Sequence, residues 1–139
     1  MSVKPYKRNF IQRLFGKPQT GSPLNPDCWT FADGQLTIDL AKTPELTENG
    51  GGVRFEDARL PKRILVIRGD DGVIRAYLDE CKHGGRRLDP VPGAGVICCC
   101  SVGKSTYDYE GKVLSGSATE NATVLPAEER DGRVVVKVD

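Results

Sequence analysis

Histidine is almost missing from this chain. His83 is the only one among 139 residues, so any pairing of a nucleophile with an imidazole base would have to be built on that single side chain. No G-x-S-x-G turn accompanies it. The one glycine run, Gly50-Gly51-Gly52, lacks the following lysine and helix of a phosphate-binding loop. No apolar run approaches the roughly 18 residues that span a bilayer, and the N-terminus lacks an apolar signal core with a small-residue cleavage site. Acids are absent from the first 18 residues, which carry Lys4, Lys7, Arg8, Arg13 and Lys17 and leave 15 basic against 19 acidic residues in the remainder. An acidic body argues against nucleic-acid binding.

What the chain has is turn chemistry and thiols. Sixteen glycines and nine prolines, with 38% hydrophobic and only 6% aromatic residues, suit one turn-rich β domain rather than a helix bundle. The length allows one core and is too short for two. Five cysteines, an odd number with Cys98, Cys99 and Cys100 adjacent, do not form a secreted disulfide framework, because neighbours on a strand point to opposite faces. Reduced thiols in a soluble, cytoplasmic protein are the expectation.

Residues 1–24 read as a basic amphipathic tail and linker. Phe10, Ile11, Leu14 and Phe15 would line one side of a short helix that Gly16 and Pro18 end. Residues 4–17 are thus a candidate handle for an acidic partner or for peripheral contact with an anionic membrane surface; a mobile tail is the plainer reading. Residues 25–139 form the domain. Short alternating segments predict hairpins over Trp29 to Leu40, around Ala32-Asp33-Gly34, and over Lys62 to Tyr77, around Gly69-Asp70-Asp71-Gly72. A short strand at Val53-Arg54-Phe55 precedes the second hairpin. A last hairpin spans Ala127 to Val138 around Asp131-Gly132. No stretch after residue 18 has helical periodicity.

Between these hairpins lies the chemistry. Cys81-Lys82-His83 is a C-x-H pair in a Gly-rich piece, ECKHGGRRLDP, and Cys98-Cys99-Cys100 supplies thiols from a second piece, ICCCSVGKSTYDYEG. Thiolate and imidazole donors on two short pieces make a metal site the expectation, with Cys81, His83 and the thiols of Cys98-Cys99-Cys100 as candidate ligands. Cys28, beside Trp29, reads as core.

Cys81-Lys82-His83-Gly84-Gly85-Arg86-Arg87-Leu88 resembles the C-x-H-x-G-x-x-L of the Rieske iron-sulfur family, and Ser105-Thr106-Tyr107-Asp108 is similar to the S-x-Y-D of its high-potential members. The resemblance covers Cys28 to the C-terminus. It implies an all-β fold, an antiparallel sandwich of about three small sheets with an inserted cluster-binding subdomain at about 80–118. It also implies a [2Fe-2S] cofactor, with Ser105 and Tyr107 giving hydroxyl hydrogen bonds to cluster and cysteine sulfurs. Anchored on Asp108, the second cysteine ligand is Cys100, and the place of the second histidine falls on Gly103. No shift of register restores that histidine. The family's loop-bracing disulfide would fall on Arg86 and Val102, and its proline-rich cover on Ser115-Gly116-Ser117-Ala118, which has no proline.

Three chemistries stay open. A cysteine could take the vacant place, giving Cys81, His83, Cys100 and, by strand alternation, Cys98 rather than Cys99; the added thiolate would lower the reduction potential, with Lys104, Arg86 and Arg87 nearby to offset charge. Three ligands could instead hold zinc or a single iron with one position open. Or the fold could serve without a metal as an interaction or regulatory module. The first makes the chain a small electron-transfer protein working with a redox partner or a larger oxidoreductase, an accessory component more than a stand-alone enzyme.

Overall fold

The computed structural model describes residues 21–79, 88–91, 95–99, 106–115 and 121–138. Its strands follow the expected order: β1 (Trp29–Ala32), β2 (Gln35–Asp39), β3 (Gly52–Phe55), β4 (Ile64–Arg68), β5 (Ile74–Leu78), β6 (Leu88–Val91), β7 (Val96–Cys99), β8 (Thr106–Asp108), β9 (Val113–Ser115), β10 (Val124–Leu125), β11 (Ala127–Arg130) and β12 (Arg133–Lys137). They form three antiparallel sheets, ordered β1-β2-β12-β11, β10-β5-β4-β3 and β6-β7-β8-β9. The fold is therefore all-β, as expected. Beside the strands stand two single 3-10 turns, Leu40–Lys42 and Pro44–Leu46.

Asp-Gly turns close the outer hairpins. Asp33 and Gly34 have φ of 54° and 74°, and Asp131 and Gly132 have 52° and 77°. Two left-handed residues in a two-residue loop are the geometry whose twist matches that of paired strands. The resulting hairpins, β1-β2 and β11-β12, meet along β2 and β12 with Ile38 opposite Val134, so the two ends of the domain share one sheet.

The middle sheet is the platform. In β4 the run Ile-Leu-Val-Ile is buried throughout, because alternate residues serve two cores. Ile64 and Val66 pack toward the first sheet with Leu36, Ile38, Val134, Val136, Val53 and Phe55. Leu65 and Ile67 pack toward the third sheet with Tyr77, Leu88, Ile97, Tyr107 and Ala122. A strand covered on both faces reads as a continuous apolar run rather than an alternation. Each such side chain contributes about 1.5–3 kcal/mol on burial.

Two strands differ from the sequence expectation. Residues 88–91 lie in what reads as a ligand loop, yet they form β6; Pro90 is tolerated there because β6 is the edge strand of the third sheet. The two-residue β10 pairs Val124 with Tyr77 and Leu125 with Ala76, a length too short to leave a period. Most of the expected tail, residues 1–20, lies outside the described residues. Where the described chain begins, the Gly21 carbonyl accepts from the Arg54 N–H at 2.8 Å, at the edge of β3. Among the described residues no helix is long and apolar enough to cross a membrane.

Candidate metal centre

The third sheet brings together the residues that flank the two expected donor pieces. Leu88, the first residue of β6, stands opposite Cys99, the last of β7, and Cys98 stands opposite Thr106, the first of β8. Segments 80–87 and 100–105 therefore leave the sheet at the same end, on strands spaced about 4.8 Å apart. Cys81, His83, Cys100 and Ser105, with Arg86, Arg87, Lys104 and Gly103, lie in those two segments and outside the described residues. Their flanking strands are described.

Two expected site residues can be located directly. Cys98 is half-buried in β7, on the face opposite that of Ile97, and its backbone is paired with β6 on one side and β8 on the other. Tyr107 is fully buried and packs into the core between the second and third sheets. Cys28 is also where it was expected: it is 1% exposed, in the core between the first and second sheets. The platform sheet thus separates it from the ligand end, and burial pushes its thiol pKa up.

Three residues that the sequence reading passed over hold this sheet in place. Asp79, just past β5, is fully buried beside Arg54, which is 4% exposed. Asp79 Oδ2 accepts from Arg54 Nε, and Asp79 Oδ1 accepts from the Leu88 N–H at 2.7 Å. Arg54 Nη2 in turn donates to the Leu88 carbonyl at 2.9 Å. Burial pushes the Asp79 carboxyl pKa up, against the pull of Arg54 and the Leu88 N–H. At the far end, Asp70 Oδ2 accepts from the Gly95 N–H at 3.0 Å and from the Tyr109 hydroxyl at 3.2 Å. An arginine within the otherwise apolar Val53-Arg54-Phe55 was the available signal, since such a group is buried only when paired.

The aspartate of the S-x-Y-D stretch has a structural task. Asp108 Oδ1 accepts from the N–H groups of Glu110 and Lys112, at 3.0 and 2.8 Å, and so shapes the β8-β9 turn.

The described residues form three small antiparallel sheets, with the residues that flank segments 80–87 and 100–105 at one end of the third. The sequence pattern of the Rieske [2Fe-2S] domain family matches residues 38–127. This chain belongs to that family. It is 36% identical over 52 residues to the glycine betaine monooxygenase oxygenase subunit of Chromohalobacter salexigens, a match covering 37% of this chain. The chain spans only 12% of that relative's length. Among solved structures, the quaternary ammonium Rieske monooxygenase CntA superposes with a TM-score of 0.54 at 23% identity, covering 69% of this chain and 31% of that one. The plasma membrane Rieske protein PetC3 of Synechocystis gives 0.52 at 21%, over 62% of this chain and 85% of that one. The oxygenase–ferredoxin complex of carbazole 1,9a-dioxygenase gives 0.58 at 18%, over 78% and 29%. At such identities the structures share the fold.

Family membership implies a [2Fe-2S] cluster, but this chain's donors do not complete the two-Cys, two-His set. One histidine is available. Cys81, His83 and Cys100 are three expected donors, and the expected place of the fourth falls on Gly103.

Proposed function

We propose that this domain is an iron-sulfur electron carrier with an altered donor set, in which Cys81, His83 and Cys100 are joined by a thiolate from Cys98. The observation that carries this reading is the strand register: Leu88 beside Cys99 and Cys98 beside Thr106 direct both donor segments to one end of one sheet. Cys98, like Val96, is half-buried on the face of β7 opposite that of the core residue Ile97, and this reading takes the fourth donor from that face. When bound, the cluster supplies a one-electron couple. The protein's part is to hold the donors and exclude water, with Ser105 and Tyr107 as the proposed hydroxyl donors.

A relative named as an oxygenase subunit, and a similar structure solved as an oxygenase–ferredoxin complex, support a redox partner protein or a larger oxidoreductase as the partner. Residues 4–17 are the proposed handle, as an appendage to a domain of residues 25–139. The odd cysteine number with three adjacent supports a cytoplasmic setting.

Protein made in iron-replete cells and purified without oxygen should be brown, with thiolate-to-iron absorption. Colourless protein with less than about 0.1 iron per chain would end the carrier reading. The single histidine favours a second reading, a cluster-free interaction or regulatory module, and that outcome would select it. Zinc or one iron per chain without sulfide would select the open-site alternative.

A further inference from the structure

A buried ion pair beside the donor end is built around one residue, Leu88. Leu88 sits on the edge strand β6, and the Asp79 carboxylate and the Arg54 guanidinium take its N–H and its carbonyl, at 2.7 and 2.9 Å. The pair thus occupies the place that a further strand would fill at Leu88. Asp79 is itself tied down: its N–H donates to the Arg63 carbonyl at 2.9 Å and its carbonyl accepts from Arg63 Nε at 3.2 Å. Burying two charges costs desolvation, and apolar replacements of such pairs are often neutral or stabilising. Stability alone does not explain the arrangement.

Geometry does. Asp79 and Leu88 stand on either side of the segment that carries Cys81 and His83, and one hydrogen bond joins them across it. We propose that Arg54 and Asp79 are positioning residues for those two donors, holding Asp79 and Leu88, which flank their segment, at a fixed separation. This rests on the metal-binding reading above. Short spans with fixed ends lose less entropy on ordering, and groups that orient ligands from behind commonly change metal retention by 10–100-fold.

The test compares the full chain with two double variants. In Arg54→Met/Asp79→Leu the charges and the acceptor are gone. In Arg54→Met/Asp79→Asn the charges are gone, but a carboxamide oxygen still accepts from Leu88. Two readouts are followed: iron loss to a chelator from metal-loaded protein, and, in metal-free reduced protein, amide exchange at Leu88 together with alkylation of Cys81. The leucine variant should lose iron, exchange Leu88 and alkylate Cys81 about tenfold faster or more, with Cys28 alkylation unchanged, and the asparagine variant should recover most of the difference. Rates within about twofold of wild type in the folded leucine variant would overturn the proposal. If that variant does not fold, Asp79→Glu carries the same comparison, because it keeps the ion pair while displacing Leu88. If wild-type protein takes up no iron, the carrier reading falls, and the metal-free readouts still decide the role of the pair.

Discussion

Cys98 and Thr106 are directly opposed in the β7-β8 ladder, while Cys98 also faces Asp89 across the β6-β7 ladder. Pairing on both sides leaves the Cys98 backbone little freedom, so its sulfur can approach a metal only by side-chain rotation. Cys98→Ser should therefore bleach or shift the visible spectrum of anaerobically purified protein and change its melting temperature little, since the site is half-buried. Cys28→Ser should leave the spectrum intact and cost about 1–3 kcal/mol by placing a hydroxyl in the first core. An unchanged spectrum in Cys98→Ser would remove Cys98 from the donor set.

The Arg54–Asp79 pair makes a separate prediction about stability. Asp79→Ala leaves a buried guanidinium without its carboxylate, a loss of about 3–5 kcal/mol, whereas Arg54→Met/Asp79→Leu should recover most of it. Urea denaturation of the single and double variants measures both. Equal losses in the two would mean that the charges contribute nothing beyond the hydrogen bonds to Leu88.

Tyr77 predicts a pH dependence. Its hydroxyl donates to the Tyr109 carbonyl at 2.7 Å, and burial pushes its pKa well above the ordinary value of 10.0. The unfolded chain therefore loses this proton first. Stability from this group is complete below about pH 10 and falls as pH rises beyond it. Tyr77→Phe should cost about 1 kcal/mol at pH 7, and its stability should converge with that of wild type above pH 10. A difference that stays constant from about pH 8 to pH 11 would show that the phenol titrates at its ordinary value.

The hairpins around Asp33-Gly34, Gly69–Gly72 and Asp131-Gly132 were legible in the sequence because their turns carry fixed residue preferences and their strands are β-branched. The candidate donors were legible because thiol and imidazole are rare side chains and their spacing is local. Strand β6 was not, since Pro90 reads as loop unless the strand is known to lie at an edge. Arg54 and Asp79 escaped for another reason: they are 25 residues apart in the chain, and only the pairing of β3 with β4 and of β4 with β5 brings them together.

Gly111 tests the turn that shapes the far side of the third sheet. Its φ is +83°, and a Cβ added there would lie 2.7 Å from the Ala122 carbonyl oxygen and 2.9 Å from Val124 Cγ2. Gly111→Ala combines backbone strain with overlap against a carbonyl that cannot retreat, because the Ala122 N–H is itself bonded to the Gly111 carbonyl at 2.7 Å. The expected loss is about 1–3 kcal/mol, read as a lowered thermal midpoint. Gly132→Ala, with open space around its Cβ position, carries the conformational cost alone and should lose less.

The reduction potential of the anaerobically purified protein addresses the altered donor set most directly. Exchanging one imidazole for a thiolate adds negative charge, so the account predicts a one-electron couple below about −150 mV, between the all-cysteine and two-histidine ranges. A couple inside the two-histidine range, from about −150 to +300 mV, or no redox-active iron at all, would contradict it.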